Sequence, residues 1–311
     1  MKYSVVVPVY NEEESILLLY KQVTEVMNGL KQQYEMVFVN DGSSDGSLKK
    51  LIELHNKDER VVIVDFRRNF GQTAAFYAGF QKARGEIIIT LDADLQNNPK
   101  DIPKLLKKLK EGYDVVAGWR HKRKDNLLVK IVSRIAHVLR FFVTKDKIHD
   151  PGCSLRVYKN VAVKELFIYG EMHRYITTIL KMKGFKVAEL KVDHLSRKLG
   201  KSKYSLMKVF RGFIDLINYK FWIDYSKKPL HFFVKYGSVL ALIGAALVIY
   251  NFSAYGLTLQ VGPTLLLGFF FLLTAVQFIS LGFLAEVQVK TYFHSNSHEL
   301  IQIRKVYKRG N

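Results

Sequence analysis

The chain has 311 residues, 48 Lys and Arg against 28 Asp and Glu, a formal net charge of +20 and a single cysteine. Such a balance calls for an anionic partner: nucleic acid, a membrane surface or a phosphorylated substrate. The lone Cys153 excludes an internal disulfide and a multi-cysteine metal site. Neither zinc-finger spacing nor an aromatic RNA-binding signature occurs, so nucleic acid is set aside.

Met1-Lys2-Tyr3 runs straight into the apolar Ser4-Val5-Val6-Val7-Pro8, too short for a signal peptide, so the first domain is expected to stay in the cytoplasm. Strand candidates fall at 3–9, 36–40, 61–65, 87–92 and 115–117, with amphipathic helical stretches near 13–30, 47–56, 73–84 and 102–111. This alternation predicts an α/β fold, a Rossmann-like, mostly parallel sheet with helices on both faces. Ligands on such sheets bind beyond the carboxyl ends of the strands, where Asn11, Asp41, Asp92 and Asp94 fall. A basic helix with a broad apolar face is predicted at 126–144; it suits either a membrane surface or packing on the sheet. A second stretch at 205–225, rich in aromatic and basic residues, is read as interfacial. From 237 to 285 there is no Asp, Glu, Lys or Arg. Spans at 232–252 and 263–285 are each long enough to cross about 30 Å of hydrocarbon as a helix.

Three polar segments carry candidate chemistry. Asp92-Ala93-Asp94-Leu95-Gln96 follows a buried-looking strand, and two carboxylates one residue apart there can share a hard divalent cation that also takes substrate phosphates. Gln96 can add a carbonyl oxygen or a water-mediated contact. Val7-Pro8-Val9-Tyr10-Asn11-Glu12-Glu13 ends a strand: Tyr10 offers a stacking face and Glu12 an acceptor for hydroxyls, although a helix cap at Asn11 accounts for the same residues. In Asn40-Asp41-Gly42-Ser43-Ser44-Asp45-Gly46, Asp41 is placed to meet a base or ribose, and Asp45 suits a cap.

In this order and spacing the three segments resemble glycosyltransferase family 2 with its GT-A fold. The resemblance continues at Arg68-Asn69-Phe70-Gly71-Gln72, at 118–125, at Asp150-Pro151-Gly152-Cys153-Ser154-Leu155-Arg156 and at 194–204. With the paired spans, residues 2–290 are similar to the polyprenyl-phosphate glycosyltransferases, among them dolichyl-phosphate mannose synthases, bactoprenol glucosyltransferases and undecaprenyl-phosphate aminoarabinose transferases. The resemblance implies that Pro8, Tyr10, Glu12 and Asp41 hold the nucleoside. It places Asp92, Asp94 and Gln96 around Mg2+ or Mn2+ and the diphosphate, and Arg120 and Arg123 near the acceptor phosphate. Asp150 and Arg156 would line the acceptor side, and Arg197, Lys201 and Ser202 would close over the phosphates from a loop. A basic patch binding anionic lipid accounts for that loop as well. The resemblance also implies a homo-oligomer, a tetramer. Glu286 stands where the family often has Gly-Glu-Tyr, and its neighbours differ; the Gln-x-x-Arg-Trp signature of processive synthases is absent, so a single transfer is expected.

The expected reaction is an inverting, metal-dependent transfer of one sugar from a UDP- or GDP-linked donor to a polyprenyl phosphate. A transferase acting on another membrane lipid and a non-catalytic scaffold are the rivals. The expected organisation is a cytoplasmic catalytic domain at 1–203, an interfacial region at 204–230, a transmembrane hairpin at 231–290 and a cytoplasmic tail at 291–311. The loop 253–262 has no Lys or Arg while both flanks are rich in them, which puts that loop outside and both termini inside. A Thr258→Cys probe is therefore expected to react with an impermeant thiol reagent from the outer face, and a cysteine at the carboxyl terminus is not; the reverse pattern contradicts this topology.

Overall fold

The computed structural model describes residues 1–120, 148–164, 166, 168–195, 229–256, 262–294 and 303–307. The helix expected at 126–144 and the interfacial stretch at 205–225 lie outside them. The chain divides into two compact units, residues 1–206 with 299–311, and residues 207–298.

In the first unit the strands are β1 (Tyr3–Val9), β2 (Tyr34–Asn40), β3 (Val61–Phe66), β4 (Ile87–Thr90), β5 (Val115–Arg120), β6 (Arg156–Lys159), β7 (Val187–Val192) and β8 (Ile303–Tyr307). They form one sheet in the order β7-β5-β6-β4-β1-β2-β3-β8. β1 lies parallel to β2 and β4, β2 to β3, and β5 to β7, whereas β6 runs antiparallel to both β4 and β5. β8 adds antiparallel to β3, so the stretch expected as a tail contains a strand of the sheet. Strands β6, β7 and β8 were not among the expected elements.

The period of two along the strands divides the core. Val5, Val7, Val9, Met36, Phe38 and Ile63 pack with the helices α1 (Ile16–Gly29), α2 (Ser47–Lys57) and α4 (Ile102–Leu109). The alternate residues Val6, Val37, Val39 and Val64 are buried on the opposite face, where α3 (Gln72–Lys82) lies against β1 and β2. α4 shows why a helix forms here. Asn98 accepts the Lys100 N–H at 3.1 Å at its entry, Pro103 sits in its first turn, and Ile102, Leu105, Leu106 and Leu109 make one buried stripe. Each such leucine contributes on the order of 1.5–3 kcal/mol by leaving water. Two short helices follow, α5 (Asn160–Lys164) and α6 (Ile176–Met182), the latter preceded by a 3-10 turn at Met172–Tyr175.

The second unit is a hairpin of α7 (Pro229–Tyr255) and α8 (Pro263–His294), each with a stretch apolar enough and long enough to cross a membrane. The helices approach closely at small residues. A Cβ added to Gly244 would stand 2.8 Å from the Gly268 carbonyl oxygen, and one added to Gly282 would stand 2.7 Å from Cβ of Phe233. Backbones approaching at glycines gain van der Waals contact that lipid cannot replace.

At the carboxyl end of β2, Gly42 turns the chain with φ +67°, and a Cβ there would run into the backbone of Arg68 and Asn69. Both the left-handed conformation and the lack of space exclude a side chain. Gly42→Ala is expected to lower stability by about 1–3 kcal/mol, read as a lower thermal midpoint in detergent. A wild-type midpoint would show that the two loops separate at little cost.

Candidate active site

All the parallel strands end on one edge of the sheet, and the reversal of β6 brings a residue there that a parallel strand would place at the opposite edge. Arg156, the first residue of β6, pairs in register with Thr90 at the end of β4 and with Ala117 of β5. It is 4% exposed, and its guanidinium donates to three main-chain carbonyls: Cys153 at 2.6 Å, Pro151 at 2.5 Å and His173 at 3.0 Å. No described carboxylate forms an ion pair with it, and its hydrogen bonds among the described residues go to carbonyl dipoles.

Beside it Arg120, the last residue of β5, is bound in a fork by Asp150, Nε to Oδ2 at 2.6 Å and Nη2 to Oδ1 at 2.8 Å. Burial works against the guanidinium charge, but Asp150 outweighs it and raises the Arg120 pKa further. Asp150 therefore orients Arg120. Its own loop is fixed by Glu189 on β7, whose carboxylate accepts the backbone N–H groups of His149 and Asp150 at 2.9 and 3.1 Å. Cys153, fully buried in the same loop, has its thiol pushed up to about 12, chiefly by burial and next by Asp150, and stays a neutral thiol near neutral pH.

Past β4 the chain turns through Asp92 and Asp94, with Leu95 at φ +61°. The Gln72 amide at the start of α3 donates to Asp92 at 2.7 Å, and the Gln96 N–H donates to Asp94 at 3.1 Å. Burial, and then the Asp94 carboxylate, push Asp92 up to about 6, against the pull of Ser154, Arg120 and Arg156. Among the described residues no cluster of three His, Cys, Asp or Glu side chains is set to hold a metal ion. The pair nevertheless fits a hard divalent ion: its donors are oxygen alone, the two charges repel at short range, and substrate phosphates fill further positions around Mg2+ or Mn2+. The same turn is stitched to the far side of the domain. Asn97 forms a bridge with His194, and the Leu195 N–H donates to the Gln96 carbonyl at 3.0 Å. The chain that leads toward Arg197, Lys201 and Ser202 thus starts beside the Asp92–Asp94 turn; those three residues and Arg123 lie outside the described residues.

The loops after β1 and β2 interlock. The Asn11 side chain, at φ +55°, accepts the Ser44 N–H at 2.8 Å, and the Ser43 hydroxyl accepts the Asn11 N–H at 3.0 Å. The Glu13 carboxylate accepts the Gly46 N–H at 2.9 Å, while Asp45 accepts the N–H groups of Glu13 and Ser47 at 3.1 and 3.0 Å. Asp45 thus meets the first N–H of α2 from one residue before the cap position, which Gly46 occupies, whereas Asn11 braces the neighbouring loop and Ser15 stands at the start of α1. Tyr10 is 49% exposed beside half-buried Pro8 and Glu12, and the Ser15 hydroxyl donates to Glu12 at 2.9 Å. Asp41 is 3% exposed. Its carboxylate accepts the N–H groups of Phe70 at 2.7 Å and Gly71 at 3.0 Å and the Asn69 amide at 3.0 Å, which ties down the loop after β3. Burial raises its pKa and the two backbone donors oppose the rise.

A cavity of about 310 Å³ brings Asp92, Arg120, Arg156 and Ser154 together with Gln72 and His173. Sequence reasoning had assigned no role to Gln72, Ser154, Glu189 or His173. Gln72 and Ser154 fall inside segments that had been singled out, whereas nothing in the local sequence marks Glu189 or His173.

A family model described as glycosyl transferase family 2 matches residues 4–167. The chain is 36% identical over 315 residues to the dodecaprenyl-phosphate galacturonate synthase of Rhizobium johnstonii, covering 99% of this chain and 93% of that protein. It is 34% identical over 310 residues to the undecaprenyl-phosphate 4-deoxy-4-formamido-L-arabinose transferase of Photorhabdus laumondii, covering 98% and 94%. Among solved structures, the glucosyl-3-phosphoglycerate synthase of Mycobacterium tuberculosis, in complex with Mn2+, uridine diphosphate and phosphoglyceric acid, superposes with a TM-score of 0.55. That match has 17% identity and covers 70% of this chain and 78% of that one, a likeness of fold.

Proposed function

The chain belongs to glycosyl transferase family 2 and is a glycosyltransferase, and from that footing we propose that it moves one sugar from a UDP- or GDP-linked donor onto a polyprenyl phosphate, with inversion at the anomeric carbon. The cavity carries this reading. Both substrates bring phosphate, and the cavity sets a carboxylate corner suited to an ion-bridged diphosphate beside two guanidinium groups. Both relatives have a polyprenyl phosphate in their names. Two apolar spans on the same chain suit a lipid acceptor, whose headgroup a membrane enzyme meets at high local concentration.

In this reading Tyr10 stacks on the base, Pro8 and Glu12 complete the nucleoside pocket, and Asp41 shapes its floor through the loop at 69–71. Asp92, Asp94 and Gln96 would hold a divalent ion, Mg2+ or Mn2+, which when bound would supply positive charge to the diphosphate. Arg120, oriented by Asp150, and Arg156 draw the acceptor phosphate in, joined by Arg123. An acceptor oxygen attacks the anomeric carbon, and the bond to the donor diphosphate breaks with its electron pair leaving on that group. The acceptor phosphate is ionised near neutral pH, so the attack needs no strong base, and Asp150 has both oxygens on Arg120. Arg197, Lys201 and Ser202 close over the phosphates with charge-assisted bonds. Both termini face the cytoplasm, and the protein assembles as a homo-oligomer.

The test is product analysis with purified protein, Mn2+, undecaprenyl phosphate and, in turn, UDP-galacturonate, UDP-glucose and GDP-mannose. One donor is expected to yield a sugar–phosphate–lipid of inverted anomeric configuration plus a nucleoside diphosphate. Asp94→Asn is expected to lower that rate by about a hundredfold or more, the scale of losing one group that stabilises developing charge. Sugar found instead on a glycerol lipid, donor binding without turnover, or undiminished rates in chelator would each contradict the proposal.

A further inference from the structure

One wall of the cavity is not accounted for by phosphate chemistry. At the start of α3 two consecutive residues reach in different directions: Gln72 donates to Asp92, and Thr73 meets His173, 100 residues further along the chain. Thr73 is 2% exposed, and its hydroxyl oxygen lies 2.8 Å from Nδ1 of His173 and accepts the His173 backbone N–H at 3.3 Å. Among the described residues the hydroxyl proton has no other acceptor, so this buried group is satisfied by donating to Nδ1. The ring proton then resides on Nε2, and Nε2 has no protein partner among the described residues. Burial, followed by the charges of Arg174 and Arg156, holds the ring's pKa down to about 3, so the ring is neutral at any working pH. The result is a single uncharged N–H donor on a residue that lines the cavity.

We propose that His173 is a specificity-determining residue, its Nε2–H donating to a hydroxyl oxygen of the sugar being transferred. This rests on the nucleotide-sugar reading above. The sugar is the group bonded next to the diphosphate, and α3 sets Thr73, the brace of His173, one residue from Gln72, the brace of the diphosphate corner. A lone neutral donor suits a hydroxyl, whereas the guanidinium groups that line the same cavity suit an anion. Phe76 and Ile176, lining the same cavity, offer apolar surface to the carbons of a sugar ring.

The test is calorimetric titration of the full-length protein in detergent with Mn2+. UDP-galacturonate, UDP-glucose and GDP-mannose are compared first; the donor that wild type binds tightest becomes the probe, and its own nucleoside diphosphate the control. His173→Ala is expected to weaken the probe by about three- to tenfold, the scale of one hydrogen bond, with the control within about twofold. His173→Gln, whose amide comes near the Nε2 position, is expected to recover part of the loss. Thr73→Val, which releases the tautomer, is expected to weaken the probe and spare the control. Half-saturation by Mn2+ is expected to stay at its wild-type value in all three. Equal loss of probe and control, unchanged probe affinity in His173→Ala, or a shifted Mn2+ requirement would overturn the assignment. Should His173→Ala fail to fold, His173→Gln and Thr73→Val decide it. A wild type that binds no nucleotide sugar fails the functional reading itself; a wild type that binds one, with variants indifferent to it, fails this inference alone.

Discussion

A carboxylate held half-buried beside a second carboxylate is the costly feature on which this site is organised. Asp92 and Asp94 repel, and burial alone favours the protonated form of Asp92. The surroundings oppose that tendency: Gln72 donates to Asp92, and Ser154, Arg120 and Arg156 favour its ionised form. Neither guanidinium neutralises the pair by direct contact, since Arg120 is bound by Asp150 and Arg156 by three carbonyls. The corner therefore keeps a negative potential suited to a divalent ion, and the buried cations that line the same cavity as Asp92 keep a positive one suited to phosphate. On the proposed function, a donor diphosphate and an ionised acceptor phosphate would then sit side by side without their charges driving them apart.

Keeping both potentials in place requires stiff loops, and hydrogen bonds from side chains to backbone supply that stiffness. Asp41 binds the loop after β3, Glu13 and Asp45 lock the loops after β1 and β2 to each other, and Glu189 fixes the backbone of His149 and Asp150. Each of these carboxylates takes backbone N–H groups that the turns would otherwise leave without partners. The reversal of β6 does the remaining positioning, because only a strand entering the sheet from the active edge can place its first residue, Arg156, between β4 and β5.

Much of this was legible in the chain itself. β-Branched runs alternating with amphipathic stretches announced the first five strands, and the acidic pair after β4 stood out because a buried run precedes it. The later strands were hidden for physical reasons. β6 spans four residues, too few to display a period, and β7 is half-buried on both faces and shows no clean alternation. β8 lies beyond the membrane helices, where nothing local announces that the chain returns to the sheet edge. The position of Asp41 at a strand end suits a base or ribose, but that its carboxylate also holds the loop after β3 is not legible there; a residue type at a strand end does not say which neighbouring backbone will come to meet it. His173 was invisible, since its meaning depends on a threonine 100 residues away.

In the proposed reaction Asp92 and Asp94, with Gln96, would hold the ion only together with oxygens of the nucleotide diphosphate. The most direct measurement follows free Mn2+ by electron paramagnetic resonance while protein is added, with and without uridine diphosphate, in wild type and in Asp94→Asn. Wild type is expected to take up Mn2+ tightly only when the diphosphate is present, and Asp94→Asn to leave the ion free in both cases. Tight uptake by wild type without nucleotide, or uptake undiminished in Asp94→Asn, would contradict the account.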